Sequence, residues 1–254
     1  MTAACPSSLT TGRPGGDIQN PELTRPDDRG ARTVRVVSPT TSPSDRTTVR
    51  RLPERGSHDR AAADAILDEA LVAHVGLATD KGPVVIPMAF ARDDDRLLLH
   101  GSPASRLLRG GAKGAEMCVT VTLLDGLVLA RSQFHHSVNY RSVVVFGRAE
   151  PIGGLDERRA ALRVLVEHIV PGRSADAREP TELELRGTLV LALPLDELSV
   201  KVRTGGPREE AEDMDLPVWA GVVPLATVAG APVPDDDLRG ELAPPAYATS
   251  YARP

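Results

Sequence analysis

The densest chemistry in this chain lies in two polar segments. In the first, Leu97-Leu98-Leu99-His100-Gly101-Ser102-Pro103-Ala104-Ser105-Arg106, an apolar run passes through small residues into a helix start. Unpaired backbone N–H groups, the Ser105 hydroxyl and the Arg106 guanidinium would converge there on one anion, and a phosphate fits that description. The same residues also suit a plainer arrangement in which Ser105 caps the helix and Arg106 is solvated. The second segment, Arg131-Ser132-Gln133-Phe134-His135-His136-Ser137-Val138-Asn139-Tyr140-Arg141-Ser142, sets two arginines, two histidines, three serines, an asparagine and a tyrosine between apolar runs. Donors at that density suit hydrogen bonding to the edge of a polar planar ligand, with arginine placing positive charge beside it. A polar turn whose Ser and Asn satisfy their own backbone is the alternative.

Other chemistries find less support. His135 and His136 are adjacent, so on a strand they point to opposite faces, and no further ligand stands nearby at metal spacing. No metal site is expected. Ser132, His135 and Asp125 lack the Gly-x-Ser-x-Gly elbow of a hydrolase, and no catalytic acid or base can be named. Gly110-Gly111-Ala112-Lys113-Gly114 has the wrong glycine spacing for a phosphate loop and no Ser or Thr after its lysine, so it reads as a helix stop. Cys118 reads as a small core residue.

The elements that must position these segments follow from periodicity and turn chemistry. Ser57 is placed to cap a helix with Ala62, Ile66, Leu67 and Leu71 on one face. Strands are expected at 74–79, 83–91 and 97–100, separated by Asp80-Lys81-Gly82 and Asp93-Asp94-Asp95, then a short helix over 104–109 ended by Gly110-Gly111. Runs 117–124 and 127–131 flank Asp125-Gly126, a strong hairpin signal. A strand at 141–149, a helix at 155–170 with Leu155, Leu162, Leu165, Val166 and Ile169 on one side, and strands at 188–195 and 198–203 complete the core. Short connections favour antiparallel meander and Greek-key pairing over parallel crossovers, which makes a mainly β domain, a small barrel with flanking helices, over 51–228. Residues 1–50, rich in Ser, Thr, Pro, Gly and Arg, are expected to be disordered. An apolar island, 216–225, should dock, and the tail 229–254 should fray.

Composition limits the functional classes. A chain of 254 residues, 41% of them hydrophobic, can bury a substantial core. A net charge of -5 provides no general field for nucleic acid or an anionic membrane. Two cysteines provide no disulfide framework, and there is neither a long apolar span nor a secretory layout, so a soluble, cytoplasmic protein is expected.

Arg55-Gly56-Ser57-His58-Asp59, Ile86-Pro87, His100-Gly101-Ser102 with Ser105-Arg106, Asp125 through Ser132, His135-His136-Ser137, Asn139-Tyr140-Arg141-Ser142 and Val218-Trp219-Ala220-Gly221 stand in an order that resembles the flavin-nucleotide-binding branch of the pyridoxamine 5'-phosphate oxidase-like superfamily, which includes nitroimidazole-resistance proteins. The resemblance implies a six-stranded antiparallel Greek-key split barrel, dimeric about a two-fold axis, with FMN in clefts between subunits. It implies that the backbone around Val85, Ile86, Pro87 and Met88 faces the flavin ring and that Ser105 and Arg106 take the phosphate. His100, Gly101 and Ser102 would line the same wall. Arg131, Ser132, His136, Ser137, Asn139 and Arg141 would approach the ring or its ribityl chain, and Trp219 would close the site. Leu107 stands where true pyridoxamine-phosphate oxidases carry the second residue of an Arg-Lys tandem, and their C-terminal Arg-x-His pattern is missing, so vitamin B6 oxidation is not implied. The expected activity is transfer of hydride or electrons from a reduced nicotinamide through FMN to an unidentified acceptor. Alternatives are a binding protein that holds flavin or haem for storage or sensing, or a deazaflavin reductase.

Overall fold

The computed structural model describes residues 43–252. Its elements are β1 (Gly56–Ser57), α1 (Arg60–Glu69), β2 (Val72–Thr79), β3 (Gly82–Asp93), β4 (Arg96–Gly101), α2 (Arg106–Ala112), β5 (Glu116–Leu129), β6 (Ser137–Arg148), β7 (Glu150–Pro151), α3 (Leu155–Ile169), α4 (Arg173–Asp176), α5 (Glu182–Arg186), β8 (Leu189–Pro194), β9 (Glu197–Arg203), β10 (Gly221–Pro224) and α6 (Ala246–Thr249). Every strand pairing is antiparallel, in the order β1-β9-β6-β5-β2-β3-β4-β8-β7, with β10 added to β5. The expected antiparallel β domain with peripheral helices is therefore present. The described residues form ten strands, and the ladder runs open from β1 to β7.

Two apolar cores share this sheet. The larger gathers Val75, Phe90, Leu97, Leu99, Val119, Val143, Leu191 and Leu198 with Ile66 and Leu67 of α1 and Leu107 and Leu108 of α2. The smaller sits under α3, where Ala161 and Leu165 meet Ala91, Leu98, Ile152, Val190 and Ala192. Successive residues of a strand point to opposite faces, so Leu97 and Leu99 enter one core and Leu98 the other.

Several local expectations change for identifiable reasons. The cap of α1 is Asp59, whose carboxylate accepts from the Ala61 N–H at 3.0 Å, while Ser57 lies in β1 and accepts from the Asp59 N–H. Asp125-Gly126 is not a hairpin. Both flanking runs belong to one long strand, β5, paired along β6 with a bulge between Leu124 and Gly126. Neither residue has the positive φ that a type I′ turn requires. Gly110-Gly111 does not stop its helix either. α2 runs through both glycines to Ala112, because a Cβ on Gly110 would lie 2.5 Å from Leu77 Cδ2, and one on Gly111 2.8 Å from Met117 Sδ and 2.9 Å from Leu191 Cδ1. The glycines let the helix backbone sit directly on the sheet.

Of the expected tail, residues 1–42 lie outside the described region, but residues 43–50, though mostly exposed, are tied to the sheet by specific contacts. Thr47 is buried, Ser44 and Arg46 both donate to the Glu197 carboxylate, and Arg46 also pairs with Glu116 at 2.6 Å. The Arg46 guanidinium lies 4.8 Å over the Phe146 ring. At the other end, 225–244 is an extended, largely exposed stretch, and the chain is then tied down: Tyr251 donates to the Ile169 carbonyl and Tyr247 to Asp176.

Two outcomes follow. Gly111→Val should force Met117 and Leu191 out of their rotamers and cost about 1–3 kcal/mol, read as a fall of several degrees in Tm. The hydrogen bonds from Arg46 and Ser44 hold the Glu197 carboxyl down to about 2. A depressed carboxyl contributes stability above its unfolded value, and that contribution is lost as pH falls through the folded value. The protection factors of the Thr47 and Thr48 amides, taken relative to intrinsic exchange at each pH, should therefore hold above 4.5 and fall between there and about 2, whereas Glu197→Gln should lower them at neutral pH.

Candidate functional site

The first polar segment divides at the end of β4. The Ser102 carbonyl accepts from the Ser105 N–H at 2.9 Å and the Ser102 hydroxyl from the Ala104 N–H at 3.1 Å, closing a tight turn. Ser105 then caps α2, accepting from the Leu108 N–H at 3.4 Å. Gly101 is held against α2, where a Cβ would meet Leu108 Cδ1 at 2.9 Å. The turn sends Arg106 to one side of the sheet and leaves His100 on the other.

Arg106 opens onto a groove of about 340 Å3 between α2 and the end of β2, lined also by Leu77, Thr79, Asp80, Arg109 and Lys113. Arg106, Arg109 and Lys113 are spaced three and four apart, so they share one helix face. None of the three makes an ion pair with another described residue. Three cations against the single Asp80 make the groove electropositive. Sequence reasoning singled out Arg106 alone, although the helical spacing of the other two was readable.

β3 runs beside this groove. Gly76 and Leu77 of β2 pair with Val85 and Val84, and β2 pairs β3 along 82–89, whereas β4 pairs it only along 90–93. The outer edge of β3 from Pro83 to Ala89 is thus unpaired, with Val85, Ile86 and Pro87 exposed and Met88 half-buried. That edge presents free backbone N–H and C=O groups next to apolar side chains, a surface for a planar ligand carrying amide-like edges.

His100 occupies different ground. It pairs with Val190 of β8 and shares a face with Leu98, so it points beneath α3. There it lines a cavity of about 350 Å3 walled by Leu162, Val166 and Ile169 and rimmed by Arg159, Arg163 and Arg178. Its Nδ1 is buried with no hydrogen-bond partner among the described residues, and burial lowers the imidazole pKa, which favours the neutral ring. The cavity lined by His100 and the groove lined by Arg106 share no residue.

The second polar segment proves to be mostly strand. Only 130–136 connects β5 to β6, through a short 3-10 turn that Ser132 caps by accepting from the Phe134 N–H at 3.1 Å. His136 Nδ1 lies 3.0 Å from the Ser132 carbonyl. Ser137, Asn139, Arg141 and Ser142 lie within β6. Alternation turns Asn139 and Arg141 inward, where both are engaged by the protein. Buried Asn139 donates to the Gly205 carbonyl at 3.1 Å and accepts from Arg203. Arg141 donates to Asp125 at 2.8 and 3.0 Å and to Glu69 at 2.8 Å, and these carboxylates raise its pKa. Arg131 donates through its backbone N–H and its guanidinium to Glu209, at 3.0 and 3.2 Å, and its Nε is buried without a partner among the described residues. Trp219 is exposed and folds its ring back over Gly221.

Residues 59–202 match the family described as pyridoxamine 5'-phosphate oxidase. The chain belongs to that family. Its fold is similar to that of the flavocytochrome Anf3 from Azotobacter vinelandii, with 38% identity over 82% of this chain and 97% of that one and a TM-score of 0.77. It is likewise similar to the FAD and haem binding protein from Mycobacterium smegmatis, with 42% identity over 76% of this chain and 95% of that one and a TM-score of 0.73. No curated protein matches. Members of the family need not share chemistry, so the groove and the cavity must be argued on their own residues.

Arg141 is the test of how the second segment is used. Arg141→Met should remove the guanidinium that Glu69 and Asp125 share and leave two half-buried carboxylates facing each other, a loss of about 2–3 kcal/mol in denaturant unfolding. Arg148→Ala, at an exposed pair with Glu116, should change stability by less than about 1 kcal/mol.

Proposed function

We propose that this chain binds a flavin nucleotide, with the phosphates in the groove of Arg106, Arg109 and Lys113 and the ring along the open edge of β3. The observation that carries this reading is the set of three cations on one helix face, unpaired among the described residues, beside a strand edge that no described strand covers. Guanidinium and ammonium groups supply charge-assisted donors to phosphate oxygens, and the outward backbone N–H and C=O of Val85 with the Pro87 carbonyl match the donor and acceptor edge of an isoalloxazine. Of the two nucleotides, FMN is what the sequence resemblance implies. We favour FAD, because the relative at 42% identity is named for it and three cations suit a diphosphate better than a single phosphate.

The flavin supplies hydride and electron chemistry, and the protein supplies position and charge. The donor in this reading is a reduced nicotinamide, and no acid or base from the chain is required. A second copy of the chain completes the site. Val223, Leu127 and Val138 are directly paired across β10, β5 and β6, so they share one face, and all three are exposed at 41%, 41% and 38%. A contiguous apolar row of this kind on a sheet face is what an isologous dimer covers. In this reading the partner would approach His136 at the end of the β5–β6 connection, Ser137 at the start of β6 and Trp219 just before β10.

Purified protein should be yellow, or turn yellow with added FAD or FMN, and acid extraction with chromatography should identify which nucleotide it retains. Arg106→Ala should weaken flavin binding by about ten- to a hundredfold, measured by fluorescence quenching, with circular dichroism and dimer mass unchanged. A protein that ignores both nucleotides would defeat the reading. Bleaching of the bound flavin by reduced nicotinamide without air checks the donor.

A further inference from the structure

The stretch that follows β10 is held by its own subunit only at its ends. From Ala226 to Pro244 every residue is exposed. Among the described residues the hydrogen bonds of this stretch are all internal: the Asp235 carboxylate accepts from the Asp237 N–H at 2.8 Å and the Asp235 carbonyl from the Leu238 N–H at 3.0 Å, closing one turn. Both ends are nevertheless fixed. The Leu225 N–H donates to the Asp125 carbonyl at 3.0 Å, which prolongs the pairing of β10 with β5. At the far end Tyr247 donates to Asp176 at 2.7 Å, and Tyr251 donates to the Ile169 carbonyl at 2.8 Å. Closing so long a loop costs chain entropy, and no contact along it within the subunit offsets that cost.

We infer that residues 226–244 form an arm laid across a second copy of this chain, so that two subunits clasp each other. The arm leaves directly from β10, whose Val223 belongs to the exposed row with Leu127 and Val138, so a copy seated on that row stands where the arm begins. The arm's own apolar side chains are bare: Val228 is 82% exposed, Val233 89% and Leu242 66%. One exposed apolar residue needs no explanation, but a series of them continuing an apolar row extends the surface to be covered. Pro232, Pro234 and Pro244 fix φ and remove backbone donors, which favours an extended chain lying on a surface over a chain folding on itself. From Val228 to Leu242 an extended backbone reaches at most about 50 Å, enough to cross a subunit of this size.

An arm fixed at both ends to one subunit suits a neighbour already held against β10, because the tyrosine anchors on α3 and α4 keep the arm from swinging free when the neighbour is absent. A two-fold axis makes the contact reciprocal, each copy covering and being covered, so a single apolar series is buried twice. Preordering of this kind reduces the entropy lost on association and slows separation more than it speeds encounter. The inference rests on the dimer reading above and adds to it the element that keeps the pair together.

Sedimentation of the full-length protein should give the mass of a dimer. With the photo-cross-linker p-benzoylphenylalanine in place of Val233, illumination in excess serum albumin should yield a covalent dimer of the chain on a denaturing gel. Val228→Ser combined with Val233→Ser, at positions exposed in the single subunit, should speed subunit exchange between isotopically distinct copies by about tenfold and leave the circular dichroism unchanged. A dimer that gives no covalent product from position 233, or that labels albumin instead, would overturn the arm and leave the dimer reading standing. Exchange as slow in the double serine variant as in the parent would do the same. A parent protein that sediments as a monomer would overturn both.

Discussion

The constraint on which this structure depends is that β4 is buried on both faces. A strand in that position can have no solvent side, so its alternate residues must enter two different cores. Leu97 and Leu99 join the interior shared with α1 and α2, and Leu98 joins the layer beneath α3. Everything at its C-terminal end inherits that division. His100 continues the Leu98 face and arrives under α3, while the turn from Ser102 to Ser105 carries the chain back across the edge so that α2 begins on the Leu97 side. The cavity that His100 lines and the groove that Arg106 lines, a few residues apart in sequence, are thereby placed on opposite sides of one strand.

Close approach of α2 to the sheet is the second requirement. Gly110 and Gly111 remove the Cβ atoms that would hold the helix away from Leu77, Met117 and Leu191, and Leu107 and Leu108 complete the contact. With that face buried, Arg106, Arg109 and Lys113 must turn outward together. Helical geometry, rather than any contact among the three, concentrates their charge on the groove. The groove is electropositive because the helix is anchored, and the helix is anchored because it can dispense with two side chains.

Much of this was legible in the sequence, and the parts that were not share a cause. The strands, the long helix α3 and the antiparallel class follow from periodicity and turn residues, which act locally. The two Gly-containing signals were misread because composition records a backbone permission and not the partner that uses it. Asp125-Gly126 serves equally a two-residue turn or a bulge, and only the continuous pairing of β5 along β6 decides. Gly110-Gly111 serves equally a helix stop or a helix pressed on a sheet. The side taken by His100 was hidden for a related reason: three consecutive leucines precede it, and a run buried on both faces carries no alternation from which the next residue's direction can be read.

The polar segment after β5 shows what density of donors does and does not mean. Because β6 is a strand, its residues divide by parity. Asn139 and Arg141 point inward and are engaged by Arg203, Gly205, Asp125 and Glu69, while Val138 and Tyr140 face outward beside Leu127 and Leu124. The guanidinium of Arg141 bridges α1, β5 and β6 at the bulge, where the ladder is interrupted and a charge-assisted clamp replaces a missing backbone pair. Asp125, extruded by the bulge, is the residue that makes this clamp possible, and Gly126 beside it lets β10 pack against β5 with Val223 O only 3.0 Å from where a Cβ would stand. The inward charges thus fix the register that aligns the outward apolar row of Val223, Leu127 and Val138. Polar residues read as ligands from their number alone are here the reason that the exposed apolar row is continuous across three strands.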